Sequence, residues 1–407
     1  MNTVQPLPGV CMIAYTQYET DGRVRLEAES LARWGHDVSI LVLKTGPSPR
    51  TYALCAVTVI ELNARKYRGK SKVFYLFSYL HFLLLAFFRC TRLFFKSGFK
   101  AVHVHNMPDL LVFAAIIPRM FGCKLVLDIH DSMPETYAGK FGAATLLFRL
   151  LALEEWLCCA LASRVIAVND VQREVIARRS VPAGKIVTVI TMPAFAPAPV
   201  AQAREDGRFR VVNHGTIAKR LGIDLLVRAV AKLVPAVPEM ELHIIGGGDD
   251  LEEIAALSRE LGIHEKVHFH QPVRWDVLPG ELRGMDVGVI ANRVNIASDL
   301  MLPSKLIDYV SLGIPAVVPR FKTIEHYFTG EMVSYFDAED VESMAEAILR
   351  LYHDKARRQS QAAMAKSFLD QNGWDKNNPL RRLYGELIAG PALGRCSSPP
   401  QEFVDRP

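Results

Sequence analysis

Short runs rich in β-branched residues recur along this chain, each followed by a longer stretch with helical periodicity. The first set is VCMIAY from Val10, DVSILVL from Asp37, AVHVH from Ala101, KLVLDIH from Lys124, RVIAVN from Arg164 and IVTVI from Ile186. The pattern restarts with FRVVNH from Phe209, ELHIIG from Glu241, KVHFH from Lys266, DVGVI from Asp286, PAVVP from Pro315 and MVSYF from Met332. Near-continuous apolar strands alternating with helices predict parallel sheets covered on both faces. Two such sets predict an α/β protein of two doubly wound Rossmann-like domains, which 407 residues accommodate.

Prolines at positions 193, 197 and 199 forbid a helix between the sets. A linker is therefore expected at residues 192–207, separating a domain at 1–191 from one at 208–373. Residues 374–388 read as an amphipathic helix expected to pack back across the domains. The tail at 389–407, rich in Pro and Ser and without periodicity, is expected to be disordered. In open α/β sheets ligands bind beyond the carboxyl ends of the strands, so two joined domains are expected to face each other across a cleft.

Composition excludes whole classes and names no function. With 50% hydrophobic and 22% charged residues the chain is globular, not fibrous or low in complexity. Seven cysteines occur without a C-x-x-C spacing, and no basic and apolar leader opens the chain. Free thiols in a reducing compartment are expected, and a structural zinc site is not.

The net charge of +5 conceals an asymmetry. Residues 1–200 hold 23 Lys and Arg against 14 Asp and Glu, whereas residues 201–407 hold 25 against 29. Residues 64–100 alone carry nine basic side chains and no acidic one. Within them VFYLFSYLHFLLLAFF, from Val73 to Phe88, has sixteen uncharged residues, fewer than the eighteen or so expected of a spanning helix. Cations beside aromatics and leucines favour a peripheral anchor on an anionic membrane surface. A buried helix and a true span stay open as readings, while the leucine density argues against nucleic acid.

Three segments carry chemistry in the second half. HGTIAKRLGIDLLVRAVAKL, from His214, runs from a strand end through a Gly turn into a helix, with Lys219 and Arg220 just ahead of it. Backbone N–H groups at a helix start plus two cations can hold a diphosphate, although solvated turn residues would look the same. DLMLPSKLIDYVSLGIPAVV, from Asp299, puts Lys305 in the first turn of a helix, where a cation opposes the helix dipole unless it meets an anion. Asp308, three residues on, shares that face and could accept from ribose hydroxyls, and a surface ion pair is the plain alternative. IIGGGDDLEEI, from Ile244, allows close backbone approach at Gly246, but Leu251 stands where a dinucleotide fingerprint needs its third glycine.

These residues resemble the retaining glycosyltransferases of the GT-B fold, specifically the fourth sequence family. The G-T-I-x-x-R-x-G turn from Gly215 and the L-P-x-K-L-x-x-Y-x-x-x-G-I-P block from Leu302 carry the resemblance, together with residues 22–43, 242–250 and 267–273. It extends over about residues 10–388 and points toward bacterial enzymes building exopolysaccharide or lipid-linked oligosaccharide.

The resemblance implies a nucleoside-diphosphate-sugar donor in the second domain. Arg220 and Lys305 would meet the diphosphate amid Gly215, Thr216, Lys219, Gly246 and Leu306. Asp308 would meet the ribose, and Gln271 to Val273 would lie beside the base. Family members commonly have two glutamates with seven residues between them. Here Asp308 occupies the second position, Leu300 the first, and Asp299 is the nearest carboxylate.

On the first domain, His130 is implied close to the transferred sugar and is the leading catalytic candidate beside Arg220 and Lys305. Asp131 is the carboxylate nominated to set its tautomer. Asp21, Arg25 and His105 are acceptor-side candidates, with helix capping, surface pairing and structural burial as their bland readings. His103 shares a strand face with His105, and His36 reads as a turn residue.

The expected activity is sugar transfer with retention to a hydroxyl of a lipid-linked glycan, at the inner face of the cell membrane. No metal and no cofactor is expected. An epimerase on this fold and a nonenzymatic membrane-docked subunit are the rivals.

Overall fold

The computed structural model describes residues 7–67, 69, 71–142, 145–191, 206–371 and 378–388. Most of the linker at 192–207, the tail at 389–407, Arg68 and Lys70 lie outside the described residues.

In the first domain eight strands form one sheet: β1 (Leu7–Ala14), β2 (His36–Leu43), β3 (Thr51–Leu54), β4 (Val57–Leu62), β5 (Ala101–His105), β6 (Lys124–Ile129), β7 (Arg164–Ala167) and β8 (Ile186–Thr188). Their order is β3-β4-β2-β1-β5-β6-β7-β8. Six helices cover it: α1 (Gly22–Arg33), α2 (Lys72–Ser97), α3 (Ile116–Met120), α4 (Met133–Phe141), α5 (Leu146–Leu161) and α6 (Asp170–Arg179).

The expected strands are present, but the sheet is mixed rather than purely parallel. β3 and β4 form an antiparallel hairpin that the sequence did not announce. Its two-residue turn is Cys55 and Ala56, with φ of 50° and 64°. A type I′ hairpin turn needs φ > 0 at both central positions, which Asn-Gly supplies freely and Cys-Ala adopts at a cost of about 1–2 kcal/mol per residue. LCAV therefore reads as unbroken apolar chain.

One face of this sheet packs on α2, where Phe82, Ala86 and Cys90 recur every fourth residue and are fully buried. The other face packs on Val24, Ala28 and Leu31 of α1.

The second domain holds β9 (Phe209–Thr216), β10 (Met240–Gly247), β11 (Val267–His270), β12 (Val287–Val289), β13 (Ala316–Pro319) and β14 (Ser334–Phe336), all parallel in the order β11-β10-β9-β12-β13-β14. Its helices are α7 (Ile223–Leu233), α8 (Leu251–Glu260), α9 (Leu278–Leu282), α10 (Ser304–Ser311), α11 (Lys322–Tyr327), α12 (Val341–His353) and α13 (Lys355–Gln371). A last helix, α14 (Pro379–Ile388), returns to the first domain, where Leu380, Leu383 and Tyr384 join the core beside α1.

Each sheet reverses its winding beside its first strand, between β1 and β5 and between β9 and β12, which opens a crevice at the strand ends. Direct contacts hold the domains together. The Asn169 amide donates to Leu300 O at 2.7 Å, and the Tyr327 hydroxyl donates to Asp170 Oδ2 at 2.8 Å. Across the same boundary the Arg25 guanidinium lies 4.6 Å from the centre of the Trp275 ring.

Candidate functional site

On the first domain, the ends of β1, β5 and β6 open into a cavity of about 240 Å³ lined by Tyr15, Asp21, Lys66, His105, His130 and Asp131, among others. Asn106 fixes the turn after β6: its Oδ1 accepts from the His130 amide at 2.8 Å and its Nδ2 donates to Asp131 O at 2.8 Å. The His130 ring then points Nε2 inward to Asp128 Oδ2, at 2.8 Å. A carboxylate at Nε2 selects the tautomer protonated there, leaving Nδ1 as the acceptor a ligand hydroxyl would meet.

Asp128 therefore does what was expected of Asp131, and it is fully buried. Arg23 grips it with two hydrogen bonds, Nε to Oδ2 at 3.1 Å and Nη2 to Oδ1 at 2.9 Å. The same guanidinium reaches Glu27 at 3.0 Å and Thr191 Oγ1 at 2.7 Å. Burial alone would raise Asp128, but Arg23 and His130 hold its carboxyl well below the usual value. Burial pushes Glu27 up instead, while His105 is pushed down to about 3 by burial and by His103.

The signal for this cluster was in the sequence. A charged residue inside the apolar run LVLDI needs a partner, and parallel register sets His105 beside Asp128 on one sheet face.

On the second domain, Lys305 stands in the first turn of α10, and its Nζ donates to Asn213 Oδ1 at 3.2 Å. Gly215 makes room for it: φ is +103°, and a Cβ there would lie 3.1 Å from Lys305 Cε. Gly246 is required for a different reason, because its Cβ would fall 1.9 Å from Gly215 O where β9 and β10 pinch together.

Burial first, and the Arg220 charge second, lower the Lys305 ammonium to about 8. Burial raises Asp308 to about 7, and its Oδ2 lies 3.5 Å from Nε2 of His214. Arg220 is exposed on the turn ahead of α7. Arg293, which sequence reading did not single out, braces that turn by donating from Nε to Lys219 O at 3.1 Å, and pairs with Asp224 at 2.5 Å.

Several expectations are corrected. Leu306 is fully buried in the core, and its amide donates to Pro303 O, so it is scaffold. Asp299 turns toward α11, accepting from the Lys322 amide at 3.3 Å and pairing with its ammonium at 3.4 Å; it does not stand in for the absent glutamate. Arg25 stacks on Trp275 and pairs with Glu29 at 2.8 Å, so it closes the domain boundary instead of facing an acceptor.

Two other candidates line the first-domain cavity. Asp21 caps α1 through Val24 N at 3.2 Å and still lines the cavity. His105 lines it too but is almost wholly buried. Thr216, Lys219 and Gln271 are exposed, and Val273 packs partly buried against the core.

The sequence showed no cluster with metal-ligand spacing, yet two arise in the fold among the described residues. Glu27, His103, His105 and Asp128 converge, as do Glu241, His243 and His268. A guanidinium already meets the carboxylates in each: Arg23 in the first, and Arg208 on Glu241 at 2.8 Å in the second.

A Lys305 ammonium that loses its proton at about 8 makes anion binding pH-dependent. By calorimetry, affinity of the ligand-free protein for UDP or GDP is expected to fall up to tenfold from pH 8 to 9, and the slope to vanish in Lys305→Ala. An unchanged slope in the variant would assign it to another group.

The first domain matches the sequence model described as "Glycosyl transferase 4-like domain" over residues 22–190, and the second matches "Glycosyl transferases group 1" over 208–354. A GDP-mannose-dependent alpha-(1-6)-phosphatidylinositol monomannoside mannosyltransferase of Mycolicibacterium smegmatis is 29% identical over 206 residues, covering 48% of this chain and 53% of that protein. A lipopolysaccharide 1,6-galactosyltransferase of Escherichia coli K12 is 24% identical over 232 residues, 54% of this chain and 62% of that protein. The chain thus spans about half the length of the curated relatives it matches.

In fold, it is similar to a sucrose-phosphate synthase from Thermosynechococcus elongatus, with a TM-score of 0.74 at 18% identity over 94% of this chain and 99% of that one. Anabaena Alr3699/HepE, solved in complex with UDP and glucose, gives a TM-score of 0.68 at 12% identity over the same shares.

Proposed function

Because the chain belongs to the group 1 glycosyltransferase family with the GT-B fold, we propose that it transfers a sugar from a nucleoside-diphosphate donor to a hydroxyl of a lipid-linked acceptor. The observation that carries this reading is the opposition of two unlike half-sites. Lys305 and Arg220 concentrate positive charge at the end of β9, and His130 offers a hydrogen-bond acceptor from the other domain. His130 and Leu300 line one small pocket at the domain boundary, so the histidine stands beside the second domain's loop.

Cleaving the anomeric bond leaves charge on a diphosphate, and preorganised cations ease that departure. In the retaining course we infer, the acceptor hydroxyl attacks on the face the leaving group vacates, and the departing phosphate takes its proton. His130 Nδ1 orients a hydroxyl of the sugar or acceptor. Metal independence is part of the proposal, and the guanidinium groups within both carboxylate clusters support it.

Relatives that act on lipid-borne acceptors support the acceptor class, and α2 supports a peripheral place at the inner membrane face. On length and composition Val73–Ser97 could cross a bilayer, yet Phe82, Ala86 and Cys90 are fully buried in the domain, so a span would strip the core. Its outward face shows Phe74, Phe77 and Phe88, each more than 60% exposed.

The test is a thermal-shift series with nucleotide sugars, followed by incubation of the stabilising donor with lipid extract. One donor is expected to raise Tm and to label a lipid, and no shift with any donor would overturn the reading. Replacing Phe74, Phe77 and Phe88 together by Ser is expected to release the protein from phosphatidylglycerol vesicles. Deleting α2 would test nothing, since it removes core residues.

A further inference from the structure

Beside the His130 cavity lies a second, larger one of about 440 Å³, bounded by α2, α4, α5 and the segment 107–111. Its walls are apolar, with Leu80 and Leu83 from α2 and Leu147 and Leu151 from α5, and Glu154 is the charged residue among its lining. Tyr79 and Met107 line both cavities, so the two adjoin across a shared wall.

The surroundings reverse the usual rule for a soluble domain. α5 turns Leu146, Leu150, Leu153 and Leu157 outward, at helical spacing, each 46–74% exposed. α2 does the same with Phe77, Leu80, Leu84 and Phe88. Two apolar stripes flanking an apolar groove form a contiguous patch of the kind that marks a docking surface. Residues 64–100 add nine cations and no acid, and one of them, Lys66, lines the His130 cavity that adjoins the groove.

We propose that this groove takes the hydrocarbon chain of a lipid phosphate acceptor, with the phosphate at Lys66 and the acceptor hydroxyl at His130. The proposal rests on the transferase reading and assigns that reaction a tail subsite. The two stripes let the domain lie on a bilayer with the groove mouth at the surface, so a chain enters sideways without crossing water. The walls shared with the His130 cavity favour the acceptor's own chain over a bystander lipid. Lys66 in the adjoining His130 cavity favours an anionic headgroup over an uncharged one.

The test uses the full-length chain and linear alkyl phosphates of six to sixteen carbons, titrated below micelle formation. Affinity is expected to rise about two- to fourfold per methylene and then to level off as the groove fills. Leu80→Glu and Leu147→Glu, both at exposed positions that the fold tolerates, are expected to weaken dodecyl phosphate at least tenfold. Val277→Ser, 48% exposed on the second domain and outside the groove lining, should leave it unchanged. Lys66→Ala should erase the preference for dodecyl phosphate over dodecanol.

Affinity that ignores chain length, or survives both glutamates, would overturn the proposal. Donor-induced thermal shifts on the same variants keep the two claims apart. Saturable alkyl phosphate binding without any donor binding would support the groove and sink the transferase, and the converse would sink the groove alone.

Discussion

Replacing Lys305 by alanine lowers kcat for sugar transfer by about 10²–10³-fold while KM for the acceptor stays within about twofold. The size follows from what is removed: one preorganised charge at a leaving group, in a site with little water, is worth about 2.7–4 kcal/mol of transition-state stabilisation. The ammonium sits poorly in the free protein, since burial and Arg220 both oppose its charge. It is tolerated where an anion will arrive, and the developing diphosphate charge rewards it most in the transition state. Gly215→Ala should reproduce much of the loss without touching the lysine, because its Cβ would press on Lys305 Cε from a left-handed backbone. Steady-state rates against donor and acceptor separately check both variants. A Lys305→Ala enzyme with unchanged kcat would remove the residue from leaving-group chemistry.

How much of this was legible depended on whether the signal was local. Each expected strand formed, because a β-branched run sealed on both faces leaves the backbone few alternatives. Lys305 was legible for a similar reason: a cation in the first turn of a helix is a local anomaly whatever surrounds it. The β3–β4 hairpin was not, since its turn uses Cys55 and Ala56 where the usual glycine or asparagine would have marked it. Asp299 looked available until the fold brought Lys322 to it. Arg25 and Trp275 meet across the domain boundary, and 250 positions of chain hide such a pair from any periodicity. Leu306 sits next to Lys305 in sequence, yet one step along a helix turns a side chain by about 100°, here into the core.

Asp128 is the residue whose neighbourhood in sequence misled most, and its replacement has the largest expected effect on stability. Asp128→Asn keeps the shape and removes the charge, leaving the Arg23 guanidinium buried opposite a neutral amide. Breaking one partner of a buried pair costs about 3–5 kcal/mol. Glu27 is a poor substitute, because burial raises its carboxyl and so weakens its hold on a charge. Asp131→Asn, on the cavity rim, should move stability by no more than about 0.5 kcal/mol, so urea unfolding of the two variants separates them.

The pH dependence has a definite sign. A carboxyl held below its unfolded value stabilises above that value and loses the contribution as pH falls through and below about 4, so the gap between wild type and Asp128→Asn should close there. Catalysis reports on the same atom differently. An asparagine amide can donate to His130 Nε2 and move the ring proton to Nδ1, turning the ligand-facing nitrogen from acceptor to donor. Turnover should then fall at least tenfold at a nearly unchanged donor KM, with an altered pH profile. His130→Ala, whose side chain is 21% exposed, should lose turnover with much less stability. If both variants lost stability equally and kept the wild-type pH profile, Asp128 would be scaffold, and His130 would owe its orientation to Asn106 and His105.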